Sequence, residues 1–161
     1  MIRPALPADA AQIRELHLAA FPTPAEADLV EQLCADGDVR ISLVALEEGG
    51  IAGHVLLSKM RAPFKALGLA PVSVAKAHRR KGIAALLINE AVELARDGGW
   101  QAIFVLGDAA YYRRFGFTIE EASSYESAYA GPHFMMLPLM DRRAFPASGR
   151  VDYAKAFDTL G

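Results

Sequence analysis

The chain has one cysteine, no large excess of either charge and no long hydrophobic run. The single cysteine, Cys34, excludes an internal disulfide. The formal net charge is −2, so the sequence lacks the basic excess that is typical of nucleic-acid-binding domains. No apolar run approaches the roughly 20 residues that cross a bilayer, and the N-terminus lacks the pattern of a signal peptide. We therefore expect a cytoplasmic protein that binds neither nucleic acid nor membrane.

The length and composition are those of one globular domain. The 161 residues are 53% hydrophobic and 22% charged, and a chain of this length buries about two-thirds of its surface on folding. No repeat, low-complexity stretch or linker divides the sequence. We expect a single domain over residues 1–161.

Hydrophobic periodicity and turn residues predict a mixed α/β fold. The pattern indicates a strand, two helices, three strands, a helix, a strand, a short helix and a final strand, which together favour a mixed sheet with helices on both faces. The expected ranges are, in the same order, 2–5, 7–21, 24–36, 40–47, 51–59, 67–75, 80–96, 101–106, 109–115 and 134–139.

Three local signals refine this prediction. Thr23 and Glu26 have the spacing of a capping box at the start of the second helix, and Gly37 is suited to end it. Pro71 lies in the middle of an extended run and cannot donate to a sheet ladder, so it indicates a bulge or an interrupted edge. In the long helix, apolar residues are expected to share one face: Ile83, Leu86, Leu87, Ala91 and Leu94.

The segment 76–84 joins an extended run to the long amphipathic helix and carries a basic cluster. A helix N-terminus has unpaired N–H groups and partial positive charge, and Gly82 lets a ligand approach the backbone. With Arg79, Arg80 and Lys81 these features suit a pyrophosphate. A solvated basic loop is the alternative. Neither a phosphate-binding P-loop nor a dinucleotide-binding glycine motif occurs in the sequence.

Two motifs in this order resemble one family. The run 79–84, Arg-Arg-Lys-Gly-Ile-Ala, resembles the acetyl-CoA signature Gln/Arg-x-x-Gly-x-Gly/Ala of the GNAT N-acetyltransferase superfamily. The run 112–117, Tyr-Arg-Arg-Phe-Gly-Phe, resembles that family's second landmark, and the opening Ile-Arg-Pro-Ala is typical of it. The resemblance covers essentially the whole chain. It implies the GNAT acyl-CoA N-acyltransferase fold, a three-layer αβα arrangement around a central, mostly antiparallel mixed sheet.

The resemblance also implies a cosubstrate site for acetyl-CoA and no metal. The backbone of Val72 and Val74 would align with the pantetheine arm, and Tyr112 would protonate the departing CoA thiolate. The thiol has a pKa near 8.5 and a phenol has a pKa near 10, so a positioned phenol can donate a hydrogen bond, or the proton itself, to the thiolate. Tyr112 as a core aromatic is the alternative, and a homodimer stays open. The pyrophosphate would be held by the backbone amides of Arg79, Arg80, Lys81, Gly82, Ile83 and Ala84.

The general base is not identified by sequence. Many relatives supply a glutamate near the fourth strand, but the run 67–75 contains no carboxylate. Asp108 has an alternative role as a helix cap, and the other candidates have structural or solvent-exposed alternatives as well. Water can also accept the proton. The candidate side chains are His54, Asp108, Glu120, Glu121 and His133.

The resemblance therefore implies transfer of acetyl from acetyl-CoA to a primary amine of a small molecule or peptide, by direct attack. A non-catalytic acyl-CoA-binding or sensing domain of the same fold is the alternative. The acceptor loops vary freely within such a fold, so the sequence defines neither the amine nor the accepted acyl length.

Overall fold

The computed structural model describes residues 1–160 and contains a central sheet, five α-helices and several 3₁₀ turns. The strands are β1 Ile2–Pro4, β2 Val39–Glu47, β3 Gly50–Lys59, β4 Ala66–Val74, β5 Ala102–Leu106, β6 Tyr125–Glu126, β7 Phe134–Pro138 and β8 Gly149–Arg150. The helices are α1 Ala10–Ala20, α2 Ala25–Asp36, α3 Ile83–Asp97, α4 Ala109–Tyr112 and α5 Ile119–Ala122.

The sheet is mixed, as the sequence pattern predicted, and mostly antiparallel, as the family resemblance implied. Its six strands have the order β1-β2-β3-β4-β5-β7, and only the β4–β5 pair is parallel. The short strands β6 and β8 form a separate parallel pair that sequence reasoning did not predict, because two-residue strands leave no periodicity. A C-terminal 3₁₀ segment, Lys155–Leu160, was missed for the same reason.

Helices cover both faces of the sheet and enclose two clusters of buried side chains. On one face, Leu87 and Ile88 of α3 are fully buried with Val55 and Leu57 of β3. On the other, Leu33 of α2 is buried with strand and C-terminal aromatic residues. This is the three-layer αβα arrangement. Among residues 1–160, no helix has the length and apolar character needed to cross a membrane.

Two expected positions on α3 were wrong. Leu86 and Leu94 are 58% and 40% exposed, although both were placed on the apolar face. The buried stripe instead follows Ile83, Leu87 and Ala91 at a spacing of four residues, and it is widened by Ile88, Val92 and Ala95. Leu86 points away from this stripe, and Leu94 lies at its margin.

The predicted capping box is also absent. The helix α2 has Pro24 at its N-cap, and the Thr23 hydroxyl accepts only from the Ala25 N–H, at 3.3 Å. Because the helix begins after Pro24, Glu26 is its second residue and is not at the third position that a capping box requires. At the other end, Gly37 has a left-handed backbone (φ 75°) and ends the helix as predicted.

The strand β4 is paired on both sides only along its first half. Its parallel ladder with β5 runs from Ala66 opposite Ala102 to Leu69 opposite Val105 and then stops. Beyond Leu69, β4 stays paired with β3 alone, across a register shift opposite Pro71. The proline therefore marks a bulge, as one of the two predicted alternatives had it. The divergence of β4 from β5 opens a cleft in the middle of the sheet.

Candidate active site

A cavity of about 450 Å³ lies between the end of α1, the second half of β4 and the start of α3. We call it the anion cavity. Of the eight residues expected to contact a cofactor, seven line it: Val72, Val74, Arg79, Arg80, Gly82, Ile83 and Ala84. Lys81 does not line the cavity, and its Nζ atom lies 3.2 Å from His78 Nδ1. Sequence reasoning had not included Ser73, Tyr111 or Arg114, which also line the cavity.

On the side of this cavity, the second half of β4 is not paired with another strand. The Ala75 N–H donates to the Ala52 carbonyl of the neighbouring chain segment, at 2.7 Å. Because backbone groups alternate in direction along a strand, those of Val72 and Val74 point to the opposite side, where β5 has diverged. The Val74 carbonyl accepts there from Arg79 Nε at 3.2 Å. An extended ligand can therefore pair with β4 as an added strand.

The loop before α3 has the geometry of an anion site. Arg80 and Gly82 both have left-handed backbones, with φ of 66° and 78°. The first α-helical hydrogen bond joins the Leu86 N–H to the Gly82 carbonyl at 3.0 Å, so the N–H groups of the first turn have no helical partner. The Arg79 N–H, in contrast, is used by the Lys76 carbonyl at 3.4 Å. The binding of a phosphate group is favoured here by the unpaired N–H groups, the helix dipole and two arginines.

A second cavity, of about 400 Å³, lies where β4 and β5 diverge. We call it the aromatic cavity. It shares Phe21 and Val72 with the anion cavity, so the two are neighbours. Its other lining residues come from α2, both strands, α4, the loop between β6 and β7, and the C-terminal region: Glu26, Leu29, Leu69, Ala70, Pro71, Leu106, Tyr112, Tyr129, Tyr153 and Phe157.

Tyr112 is held in the wall of the aromatic cavity by local packing. The helix α4 is capped by Asp108, whose side chain accepts from the Ala110 N–H at 3.0 Å. Gly107 lies against the Tyr112 ring, and a Cβ atom there would be 2.8 Å from Tyr112 Cε2. The ring also contacts Phe117 edge to face, with centroids 5.8 Å apart. A glycine at 107 is thus required for this ring position.

Burial keeps the Tyr112 phenol protonated. It raises the pKa of Tyr112 to about 12, and the neighbouring Tyr111 adds to the shift. Tyr111 lines the anion cavity instead, and the two rings meet edge to face at 5.1 Å. The two tyrosines therefore face different cavities, and the one predicted to act as an acid faces the aromatic cavity.

Comparison with known proteins identifies the family. A family model described as the acetyltransferase (GNAT) family matches residues 10–117. The chain belongs to the GNAT family. It is 32% identical to the uncharacterized N-acetyltransferase YhbS of Escherichia coli strain K12, over 98% of both chains.

Two solved structures extend this comparison. The crystal structure of the E. coli GNAT family N-acetyltransferase YhbS in complex with CoA has a TM-score of 0.93 at 31% identity and covers 100% of this chain and 93% of that one. A GNAT family acetyltransferase from Brucella melitensis in complex with acetyl-CoA has a TM-score of 0.84 at 34% identity and covers 98% and 97%. The predicted GNAT fold is therefore confirmed.

In this GNAT fold, His54 is one of four side chains that are hydrogen-bonded in series. Its Nε2 lies 2.8 Å from Ser42 Oγ and its Nδ1 lies 2.8 Å from His17 Nε2. His17 Nδ1 in turn lies 2.8 Å from Ser73 Oγ. Both rings are fully buried, so an amine cannot reach His54 directly. Sequence reasoning had not included His17, whose α1 position gave no sign that it would meet β3.

The two histidines are neutral at ordinary pH. Burial lowers the pKa of His17 to about 4. Burial, followed by the proximity of His17, lowers the pKa of His54 to about 3, although Asp9 acts in the opposite direction. When both rings are neutral, each of their four nitrogens has one hydrogen-bond partner, so no ring nitrogen is buried without a partner.

The remaining candidates for the base lie elsewhere. Asp108 caps α4, Glu121 forms an ion pair with Arg142 Nε at 2.7 Å, and Glu120 and His133 are exposed. None of these side chains lines the anion or the aromatic cavity. The acidic residue that does line the aromatic cavity is Glu26, which the sequence pattern had assigned to a capping box.

Proposed function

We propose that this GNAT protein transfers the acetyl group of acetyl-CoA to a primary amine by direct attack, without a covalent enzyme intermediate. The observation that carries the proposal is the unpaired edge of β4 beyond Leu69, which connects the anion cavity to the aromatic cavity. The binding of CoA and of acetyl-CoA by the two solved relatives supports the choice of cosubstrate.

In this proposal, CoA occupies the anion cavity. Its pyrophosphate lies against the first turn of α3, where Arg79 and Arg80 add positive charge. Arg114, which follows α4, lines the same cavity and adds a third positive charge. The pantetheine arm pairs with the outward-facing backbone groups of Val72 and Val74. The thioester then lies near Val72, which lines both cavities.

The amine occupies the aromatic cavity and attacks the thioester carbon from there. An ammonium substrate first loses one proton to the Glu26 carboxylate, which later returns it to water. The nitrogen lone pair forms the C–N bond, the C–S bond breaks, and the electron pair leaves on sulfur. The second proton shed by nitrogen ends on that sulfur, with Tyr112 as the donor to the thiolate. Alignment of the two reactants supplies the rest of the rate enhancement.

The test measures CoA binding and thiol release separately. Gly82→Asp adds a negative charge where the pyrophosphate would lie, and Gly82→Asn is its matched control, because Asn has the same shape and tolerates the left-handed backbone equally well. We expect only the Asp variant to lose CoA binding, by about tenfold or more, as a direct electrostatic clash requires.

Purified protein should then release CoA thiol from acetyl-CoA when primary amines are supplied. Equal CoA binding by both Gly82 variants would contradict the assignment of the anion cavity. Binding of acetyl-CoA without thiol release, across a panel of alkylamines, arylalkylamines, amino acids and peptides, would favour the non-catalytic acyl-CoA-binding domain.

A further inference from the structure

Two residues that line the aromatic cavity each carry a buried polar atom without a hydrogen-bond partner. Within residues 1–160, three buried side-chain atoms have no hydrogen-bond partner: Glu26 Oε1, Tyr153 Oη and Ser58 Oγ. The first two belong to residues that line the aromatic cavity, and Tyr153 is only 4% exposed. A buried polar group without a partner is unfavourable, so native proteins satisfy nearly all of them. Two such groups in one cavity indicate a ligand that supplies hydrogen-bond donors.

The walls around these atoms suit a cation. Tyr153 meets Tyr129 edge to face, with centroids 5.3 Å apart, and stacks on Phe157 at 4.8 Å. Aromatic faces attract cations, especially in a site from which water is excluded. No arginine, lysine or histidine lines this cavity, so no basic side chain of its wall neutralises the Glu26 carboxylate. The anion cavity next to it has the opposite character, with Arg79, Arg80 and Arg114 in its walls.

The same composition disfavours a negative charge on the substrate. Apart from Glu26 and the tyrosine hydroxyls, the lining is apolar, with Leu29, Leu69 and Leu106 among its members. A carboxylate placed here would lie close to Glu26 and would lose its hydration without gaining a cationic partner. The cavity therefore selects against free amino acids, in which an α-carboxylate accompanies the amine.

We propose that the aromatic cavity binds a monocationic alkylamine or arylalkylamine, with its ammonium group on Glu26 and Tyr153 and its apolar body against the tyrosine and leucine walls. This inference rests on the proposed function and narrows its substrate class. The ammonium group donates to Glu26 Oε1 and to Tyr153 Oη, which supplies the partner that each atom lacks. A carboxylate and electron-rich rings together hold the charge.

The test compares two ligands that differ by one group. Phenethylamine has the predicted chemistry, and phenylalanine is the same molecule with an added carboxylate. With CoA present at saturation, increasing concentrations of phenethylamine should progressively raise the melting temperature of the protein, and phenylalanine should not. In steady-state assays with acetyl-CoA, the kcat/KM for phenethylamine should exceed that for phenylalanine by about a hundredfold or more, as expected where a buried charge has no partner.

Two variants test the residues. Glu26→Gln keeps the shape and removes the charge, and Tyr153→Phe removes one hydroxyl. We expect each to weaken phenethylamine binding, the first by about ten- to a hundredfold and the second less, with CoA affinity unchanged. Glu31→Gln is the control on the same helix, where the exposed carboxylate pairs with Arg14. It should bind both ligands like the parent.

A structural role for these residues predicts a different result. If Glu26 and Tyr153 serve the ligand alone, Glu26→Gln and Tyr153→Phe should leave the melting temperature of the ligand-free protein unchanged or raise it, because the first removes a negative charge and the second removes an unsatisfied hydroxyl. A lower melting temperature, or phenethylamine binding equal to the parent's, would overturn the inference. If the parent instead acetylates phenylalanine or peptide amines and rejects phenethylamine, the substrate class is wrong while the acetyltransferase proposal stands.

Discussion

Acidification should destabilise this protein through His17 and His54. Both rings are fully buried, and burial lowers both pKa values well below the 6.5 expected in the unfolded chain. Between pH 6.5 and pH 4 the unfolded chain therefore binds more protons than the folded protein does. The free energy of unfolding is at its full value above about pH 6.5 and decreases as the pH falls through this window.

The size of the effect follows from the unfolded state. At pH 5 both rings are still neutral in the folded protein, with pKa values of about 4 and about 3. In the unfolded chain each histidine is then about 1.5 pH units below its pKa, and each unit corresponds to 1.36 kcal/mol. The two rings together should reduce the free energy of unfolding by about 4 kcal/mol between pH 7.5 and pH 5. Asp9 does not contribute in this window, because the adjacent Arg3 lowers its pKa to about 2.

Urea denaturation at a series of pH values measures this loss directly. The midpoint should fall steadily from pH 6.5 to pH 5 with an unchanged m-value, which reports stability and not compactness. Of the four histidines in the chain, His133 is exposed, and His133→Gln should show the same loss as the parent. NMR titration should show two imidazoles that stay neutral at pH 5. A flat stability profile, or four histidines titrating near 6.5, would refute the buried neutral pair.

Two further predictions concern Tyr112. Tyr112→Phe keeps the ring packing and removes the hydroxyl, so turnover should fall about 10- to 1000-fold with CoA affinity unchanged, whereas Tyr111→Phe, on the anion cavity, should retain turnover. Equal turnover by both variants, with chemistry rate-limiting, would reduce Tyr112 to a packing residue. Gly107→Ala places a methyl group against the Tyr112 ring and should decrease both turnover and stability, the latter by about 1–3 kcal/mol. Thermal unfolding measures the stability of Gly107→Ala, and thiol release measures its turnover. Turnover equal to the parent's would contradict the packing argument.

The sequence by itself determined the elements whose signals are local. The β2–β3 turn follows from Glu48 and Gly49, which take left-handed backbones, and the end of α2 follows from Gly37. The loop 79–84 and the short helix before Gly116 could be assigned because their residues are contiguous and their chemistry is that of a helix N-terminus and a helix stop. From these two motifs, the family resemblance predicted the sheet, its layers and the cavity that seven of eight expected residues line.

Other features depend on residues that meet only after folding. Glu26 lines the aromatic cavity and does not form a capping box, since α2 begins after Pro24, one residue later than the capping pattern required. Tyr153 and Phe157 come from a C-terminal segment with no periodicity, and they reach the cavity by packing beside β5 and β7. The cavity itself exists because β4 and β5 stop pairing at Leu69.

The buried pair of His17 and His54 is the clearest example of a feature that the sequence could not predict. His17 lies on α1 and His54 on β3, and neither position signals the other in the sequence. Their contact required α1 to pack across β3 and β4, and that packing removed both rings from water and lowered both pKa values. Secondary structure and turn chemistry are local properties that short segments encode. Burial, charge state and the surroundings of a site depend on which distant segments come together, so only the tertiary structure decided them.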